Sequence, residues 1–336
     1  MQPYLPPEIV LNILHFSASS SERRWITFLQ DDPLLPDRAF ERERDAGELE
    51  ARVDTQLQAP RESCAPYAWI ALTHVCRSWR GLALSTSSLW THIAIVKDMD
   101  AVEEMLKRAG EQPIAVTLGH HTERSFAALD YILKYYAERI TALVIPALPD
   151  LITASHAARA SRLKSLVFIG PGRFLQIGND AAHPQVPLEF PVLEHLRTIP
   201  PLCSSFAHLI ARTLTSLILR HPRASLEDSY VHPPHVLAQA LVHTPRLEVL
   251  SVDVGSCTEH VTTAPRLPRL RRLALRGRID ACMPLYLALH VPRDTQLDLD
   301  CTPPHHATDE HLTAGAQHLA RLLASPVLVP DRGLAP

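Results

Sequence analysis

From residue 140 onward this chain repeats one short pattern: an apolar residue, two variable positions, a leucine, one variable position and a second apolar residue. It occurs at Ile140/Leu143/Ile145, Leu163/Leu166/Phe168, Leu193/Leu196, Leu214/Leu217/Leu219, Leu247/Leu250/Val252 and Leu270/Leu273/Leu275, and in shortened form at Leu297/Leu299. The central leucines are 23, 30, 21, 33, 23 and 24 residues apart. Repetition on this scale constrains the fold more than any single motif, because a unit of one strand and one helix cannot bury the apolar side of either alone. Stacked units bury both. The leucines of successive strands then point into a continuous core, and the residues between them face out along a concave sheet. The expected class is α/β, with parallel strands and helices on the convex side. A doubly wound α/β domain also alternates strands with helices, but the phosphate-binding glycine signatures of such domains are missing and its strands are ordinarily longer apolar runs.

The surrounding segments fit the same unit. Residues 91–96 can extend as a strand, 100–110 reads as a helix with Val102, Met105 and Leu106 inward, and Gly110 sits where helices often stop. Ile114, Val116 and Leu118 alternate, 126–139 is a second helix, and helical segments at 206–213 and 236–243 precede later strands.

Upstream the sequence has a different character. In residues 69–90, Leu72, Val75, Cys76, Trp79, Leu82 and Ala83 fall at helical spacing and predict one apolar stripe along a helix. A hydroxyl cluster at Ser85–Ser88 follows, and then Leu89 and Trp90. Residues 5–14, LPPEIVLNIL, read as a proline-started helix in which Pro6 and Pro7 set φ for the first turn and Glu8 favours the N-terminal dipole. Ile9, Ile13 and Phe16, with Val10 and Leu14, are too apolar for a lone surface helix. Between these segments, residues 17–66 form an insertion whose stretch 37–58 mixes Glu, Asp and Arg, with Glu48 and Arg52 at a favourable helical spacing. A thin seam of Leu49, Val53 and Leu57 leaves two readings open, light packing on the domain or a solvated excursion.

The order Val75-Cys76, Arg77-Ser78-Trp79-Arg80, Ala83-Leu84-Ser85-Thr86 and Leu89-Trp90, preceded by the proline-started helix, resembles an F-box of the form common among fungal F-box proteins. The repeats are similar to the irregular leucine-rich repeats that accompany such boxes, although their spacing twice exceeds the usual range of about 20–29 residues. The asparagine that often follows the strand in regular repeats is also absent. The resemblance implies an F-box-like domain at 1–95 carrying the charged insertion at 17–66, an irregular leucine-rich-repeat solenoid at 96–325 and a tail at 326–336. The alternative for the N-terminal part is a set of ordinary core helices of an unrelated helical domain.

Composition narrows the function. A formal net charge of −3 gives no overall attraction to nucleic acid or an anionic membrane. No run of apolar residues is long enough to span a bilayer, and the N-terminus lacks a secretory pattern, so the expected location is cytoplasmic or nuclear. The six cysteines, at 64, 76, 203, 257, 282 and 301, have no paired spacing and read as free thiols. Glycine is scarce, at 11 residues, whereas proline reaches 29, which suits short elements separated by proline-marked turns.

Catalytic strings such as GxSxG, HExxH, paired CxxC and the P-loop are missing. The nearest metal-like cluster is Cys301 with His305, His306 and His311, where solvated loop histidines are the commoner outcome. The chain therefore reads as a non-enzyme without cofactor or metal. A run of Arg266, Arg269, Arg271, Arg272, Arg276 and Arg278 lacks the stacking aromatics of a nucleic-acid site. It suits either a solvated face or recognition of an acidic or phosphorylated protein segment.

The resemblance implies the substrate-recognition subunit of a Skp-cullin-F-box ubiquitin ligase, whose F-box binds the Skp adaptor, and through it a cullin, while the repeats hold a protein target. The alternative is a leucine-rich-repeat interaction scaffold without a ligase role. On the family pattern the adaptor-binding positions are Leu5, Pro6, Ile9, Ile13, Val75, Cys76, Trp79, Leu89 and Trp90. Strand alternation puts Val144, Val167, Arg197, Ile218, Ser251, Ala274 and Asp298 on the concave side, with Pro146, Ile169, Ile199, Arg220, Asp253, Arg276 and Asp300 two positions on. The early repeats thus present an apolar end and the later ones a charged end, and Arg220, Asp253, Arg272, Arg276 and Asp298 are the expected target-binding residues. The competing expectation is that a helix or the tail at 326–336 covers the early strands.

Overall fold

The computed structural model describes residues 5–31, 66–96, 99–119, 122–146, 152, 154–169, 190–198, 212–220, 234–254 and 261–302. Helix α1 (Pro7–Asp31) comes first, followed by a 3-10 turn at Ala68–His74, helix α2 (Arg77–Ser85) and a second 3-10 turn at Ser87–Trp90. Strands and helices then alternate: β1 (His92–Ile95), α3 (Met99–Ala109), β2 (Ile114–Leu118), α4 (Glu123–Tyr136), β3 (Ile140–Pro146), α5 (Ala154–Arg159) and β4 (Ser165–Ile169). After these come β5 (His195–Thr198), β6 (Ser216–Leu219), α6 (Pro234–Leu241), β7 (Val249–Val254), β8 (Arg272–Arg278), α7 (Ile279–Ala288) and β9 (Gln296–Thr302).

The nine strands among the described residues form one sheet in strict sequence order, each parallel to the next. The repeat explains that order. Ile93, Val116, Leu143, Leu166, Leu196, Leu217, Leu250, Leu273 and Leu297 stand in register across all nine strands, and every one but Leu297 is buried. Two residues on, Ile145, Phe168, Thr198, Leu219, Val252, Leu275 and Leu299 form a second row. Thr198 fills the third position of the repeat whose pattern was incomplete, and it is fully buried. At roughly 2 kcal/mol for each buried leucine-sized side chain, these rows are the main driving force for the stack. Burial of the first pattern position is equally regular. Leu163, Leu193, Leu247 and Leu270 each close a tight turn by donating N–H to the carbonyl three residues earlier.

A second periodic feature links neighbouring repeats. The residue after that first leucine bonds through its backbone to the same position one repeat earlier: Lys164 to Thr141, Glu194 to Lys164, Thr215 to Glu194, Glu248 to Thr215, and Arg271 to Glu248. Gln296 continues the series to Arg271. Side chains reinforce it, with Thr141 donating to Ile114 O (3.2 Å), Thr215 to Glu194 O (3.1 Å) and Thr295 to Leu270 O (2.8 Å).

The helix expected at 100–110 is α3, which buries Val102, Met105 and Leu106 and ends at Gly110, whose φ is +57°. The one expected at 126–139 is α4 with a 3-10 turn at Ala137–Arg139; Thr122 caps it by accepting from Ser125 N at 3.2 Å. The segment expected at 236–243 is α6, and most of that at 206–213 lies outside the described residues.

Two expectations are corrected. First, the helix that starts at Pro7 does not stop near residue 16 but runs on to Asp31, into the segment assigned to the insertion. No glycine or proline interrupts residues 8–32, so nothing in the backbone chemistry ends it earlier. The rest of the insertion, including Glu48 and Arg52, lies outside the described residues. Second, residues 69–85 are not one helix. The chain leaves its 3-10 turn with Val75 N bonded to Leu72 O, and Cys76 is fully extended at φ −159° and ψ 167° before α2 begins.

Candidate functional site

Two surfaces carry the residues singled out from the sequence: the N-terminal helical unit and the face of the sheet opposite the leucine rows.

In the helical unit the apolar residues divide between core and surface. On α1, Val10 and Leu14 are one turn apart and buried, whereas Ile9, Ile13 and Phe16 lie on another side of the helix, with Ile9 exposed, Ile13 half-buried and Phe16 71% exposed. Leu5 and Pro6 are exposed ahead of it. At the break between the 3-10 turn and α2, Val75 is 62% exposed and Cys76 is exposed as well. Leu84 is another large exposed apolar side chain in the unit. Trp79 is half-buried, whereas Leu89 and Trp90 belong to the core. The nine expected adaptor positions therefore separate into Leu5, Pro6, Ile9, Val75 and Cys76 on the surface, Ile13 and Trp79 at intermediate depth, and Leu89 and Trp90 inside.

Trp90 is the structural centre of this unit. Its indole N–H donates to Ala83 O at 2.8 Å, Trp69 meets it edge-on at 5.1 Å, and the Arg108 guanidinium of α3 lies 4.4 Å above its ring. His15 on α1 reaches Ser88 at 3.3 Å. Tyr67, which the sequence did not single out, ties the unit to the sheet. Its hydroxyl accepts from Ala94 N at 2.5 Å and donates to Ala94 O at 2.9 Å, so a side chain satisfies backbone groups of β1 that no other described strand pairs. Burial pushes the Tyr67 phenol above its ordinary value, and the Ala94 hydrogen bond only partly opposes this.

Opposite the leucine rows, Ala94, Thr117, Val144, Val167, Arg197, Ile218, Ser251, Ala274 and Asp298 stand in register across the sheet. The alternation read from the sequence thus assigns these residues to one face. It does not leave the early part open: Thr117 is 1% exposed, and Ala94, Val144 and Ile169 are also buried. His92, on the same face, bonds Thr117 Oγ1 through Nε2 at 2.9 Å, and burial pushes its imidazole down to about 4. The side chain of Pro146, the residue Ile199 and the tail at 326–336 lie outside the described residues.

The later part is polar and largely paired with itself. Arg272 reaches Asp298 at 4.0 Å and Arg276 reaches Asp300 at 3.7 Å. Asp253, Arg276 and Asp300 occupy one rung across β7, β8 and β9, and Arg220 follows β6. The arginine run therefore does not form a single basic patch. Arg271 points to Glu248 (3.8 Å) from the turn before β8, and Arg278 pairs with Asp280 (2.8 Å). Ser251 Oγ is buried without a hydrogen-bond partner, which costs about 1–3 kcal/mol until a partner is supplied.

Among the described residues no three His, Cys, Asp or Glu side chains gather as metal ligands, and His305, His306 and His311 lie outside them. No described helix is long and apolar enough to cross a membrane. No family model matches this chain, nor does any curated protein or solved structure. Fold and surfaces together define a class, an α/β protein built on a sequential nine-stranded parallel sheet with an apolar helical unit at its N-terminal edge.

Proposed function

We propose that this protein is a substrate receptor of a Skp-cullin-F-box ubiquitin ligase. Its helical unit docks on the Skp adaptor and the polar end of its sheet holds a protein target. The observation that carries the reading is the exposure of Leu5, Ile9 and Val75, three positions at which the F-box-like pattern has adaptor contacts, with Phe16 exposed on the same helix as Ile9. Several large apolar side chains left exposed in one small helical unit suit a surface that a partner covers. The rest of the pattern is then architectural: Leu89 and Trp90 hold the unit together and do not touch the adaptor.

In this reading the chain supplies no reacting group. It raises the effective concentration of target lysines near a recruited conjugating enzyme, which can be worth several orders of magnitude in rate. Arg220, Asp253, Arg272, Arg276 and Asp298 contribute register and selectivity for the target, and the two matched pairs, Arg272 with Asp298 and Arg276 with Asp300, add little net attraction.

The test is co-purification of the full chain with a Skp adaptor at micromolar concentration, beside an Ile9→Asp/Phe16→Asp variant. Both substitutions replace solvent-facing side chains, so circular dichroism should stay unchanged while adaptor binding falls at least about 100-fold, the loss of roughly 3 kcal/mol of apolar contact. A wild-type chain that does not bind the adaptor would leave an interaction scaffold without a ligase role.

A further inference from the structure

The last repeat contains a feature that the adaptor and target surfaces do not use. Cys282 lies in the first turns of α7 and is fully buried. Cys301 lies on β9, opposite Gly277 of β8, and is half-buried against the core. It follows Leu297 and Leu299 on the core side of the strand, whereas Asp298 and Asp300 alternate to the other face. The chain enters α7 directly from β8, since Arg278 ends the strand and Ile279 starts the helix. That short connection, with Cys301 paired beside Gly277 at the end of β8, lays the first turns of α7 against the end of β9 and brings the two thiols within reach of each other.

We propose that Cys282 and Cys301 are a redox modification site, a dithiol that hydrogen peroxide converts to a reversible disulfide joining α7 to β9. The roles of the two sulfurs are unequal. Cys301 is half-buried and open to peroxide, whereas Cys282 is fully buried. Their mutual interaction pulls the Cys301 thiol below its ordinary value, with burial and the Asp300 charge opposing, and together with burial pushes the Cys282 thiol up. Cys301 is therefore the attacking thiolate and Cys282 the resolving thiol.

In the first step the Cys301 thiolate attacks one peroxide oxygen. The S–O bond forms, the O–O bond breaks, and the departing hydroxide takes a proton to become water, leaving a sulfenic acid. In the second, the Cys282 sulfur attacks the Cys301 sulfur and gives up its proton while the sulfenic oxygen leaves as water. The two thiols lose two electrons and the peroxide gains them. A thiol reductant reverses the product. Because β9 carries Asp298 and Asp300, the partners of Arg272 and Arg276, the disulfide fixes the rungs at the polar end of the sheet.

The experiment uses the intact chain, with exposed Cys76 as the internal control. It is treated with graded hydrogen peroxide, its remaining thiols are alkylated after denaturation, and peptides are mapped by mass spectrometry. The expected product is a Cys282–Cys301 linked peptide that dithiothreitol dissolves, with slower amide exchange in β9 of the oxidised protein. Cys282→Ser should stop the sequence at a Cys301 sulfenic acid that dimedone traps, and Cys301→Ser should leave Cys282 reduced. Three results overturn the proposal, and all can be read on the wild-type chain without either variant. They are oxidation of Cys76 while both thiols stay reduced, over-oxidation of Cys301 with Cys282 still free, and a disulfide from Cys301 to any other cysteine. None depends on whether the chain binds a Skp adaptor.

Discussion

Replacing Trp90 tests whether the helical unit and the sheet are held together as the structure shows. The indole is buried, donates to Ala83 O at 2.8 Å, receives the edge of Trp69 and lies under Arg108. Trp90→Ala removes the ring and opens a cavity, which costs about 3–5 kcal/mol for a buried tryptophan. The contact with Arg108, a partly exposed cation, adds about 0.5–1 kcal/mol at most. Trp90→Phe separates the terms. It keeps most of the apolar surface but removes the indole donor and leaves the Ala83 carbonyl only the longer 3.4 Å bond from Thr86 N, at about 1 kcal/mol. Urea unfolding of the full chain followed by far-ultraviolet circular dichroism gives both values without using tryptophan fluorescence, which the substitution itself changes. Amide exchange should also rise in α2 and α3 together, because both lose their common contact. A phenylalanine variant within about 0.5 kcal/mol of wild type would mean that the Ala83 carbonyl does not need the indole, and the account of how this unit is joined would fail.

Three further outcomes follow from particular positions. Gly277→Ala places a Cβ 2.1 Å from Val254 O at a backbone φ of +138°, so strain and overlap should cost at least about 3 kcal/mol and loosen β8 from β7 in amide exchange; a stable alanine variant would mean that the strands are not this close. His92 is held neutral down to about pH 4 whereas the unfolded chain takes its proton near the ordinary value of about 6.5, so its contribution is complete above that value and lost as pH falls toward 4; about 1–2 kcal/mol should disappear, after allowance for the solvent that reaches the ring, and His92→Gln should flatten that part of the stability curve. Arg276→Asp sets three acids on one rung and should lower stability by about 1–2 kcal/mol in low salt and less in high salt, whereas Arg276→Asp with Asp300→Arg should recover most of it; no recovery in the double variant would show that the 3.7 Å pair has no energetic weight.

The parts of this fold that were legible in the sequence are those set by side-chain period. The leucine rows and the residues between them follow from strand alternation, and both hold in register across the sheet. Period alone could not distinguish one helix at 69–85 from two short ones meeting at Cys76, because apolar residues three and four apart satisfy either. Trp79 shows the consequence. Its spacing suggested a core residue, yet it is half-buried, and Trp69 and Trp90 occupy the centre. The polar end was misleading for a different reason. Arg276 and Asp300 are 24 residues apart and meet only because two adjacent repeats have matching lengths, so each looked like a free charge until the register was known. The contact of Cys282 with Cys301 has the same origin, and no cysteine spacing rule anticipates it. One signal was available and missed. The position after the first leucine of each repeat is occupied by Thr141, Lys164, Glu194, Thr215, Glu248 and Arg271, and the opposite charges of Lys164 with Glu194 and of Glu248 with Arg271 fall on consecutive repeats.

The joint between the helical unit and the sheet bears on how the two surfaces can be separated experimentally. One cluster of buried residues runs from Val10 and Leu14 through Trp69, Leu89 and Trp90 into the leucine rows. Tyr67 covers the backbone of β1, and α3 of the first strand–helix unit supplies Arg108 to Trp90. Removing residues 1–95 would therefore take away β1 as well as the helical unit, expose the edge of β2 and strip apolar cover from α3. Loss of target binding after such a truncation would report an opened sheet edge as readily as a missing adaptor contact. Solvent-facing substitutions at Ile9 and Phe16 avoid this, because neither side chain belongs to that buried cluster. The same continuity limits how the parts move. If adaptor and target occupy the two surfaces, the distance between them is set by packed side chains rather than by a linker, so the effective concentration of target lysines depends on the geometry of this core.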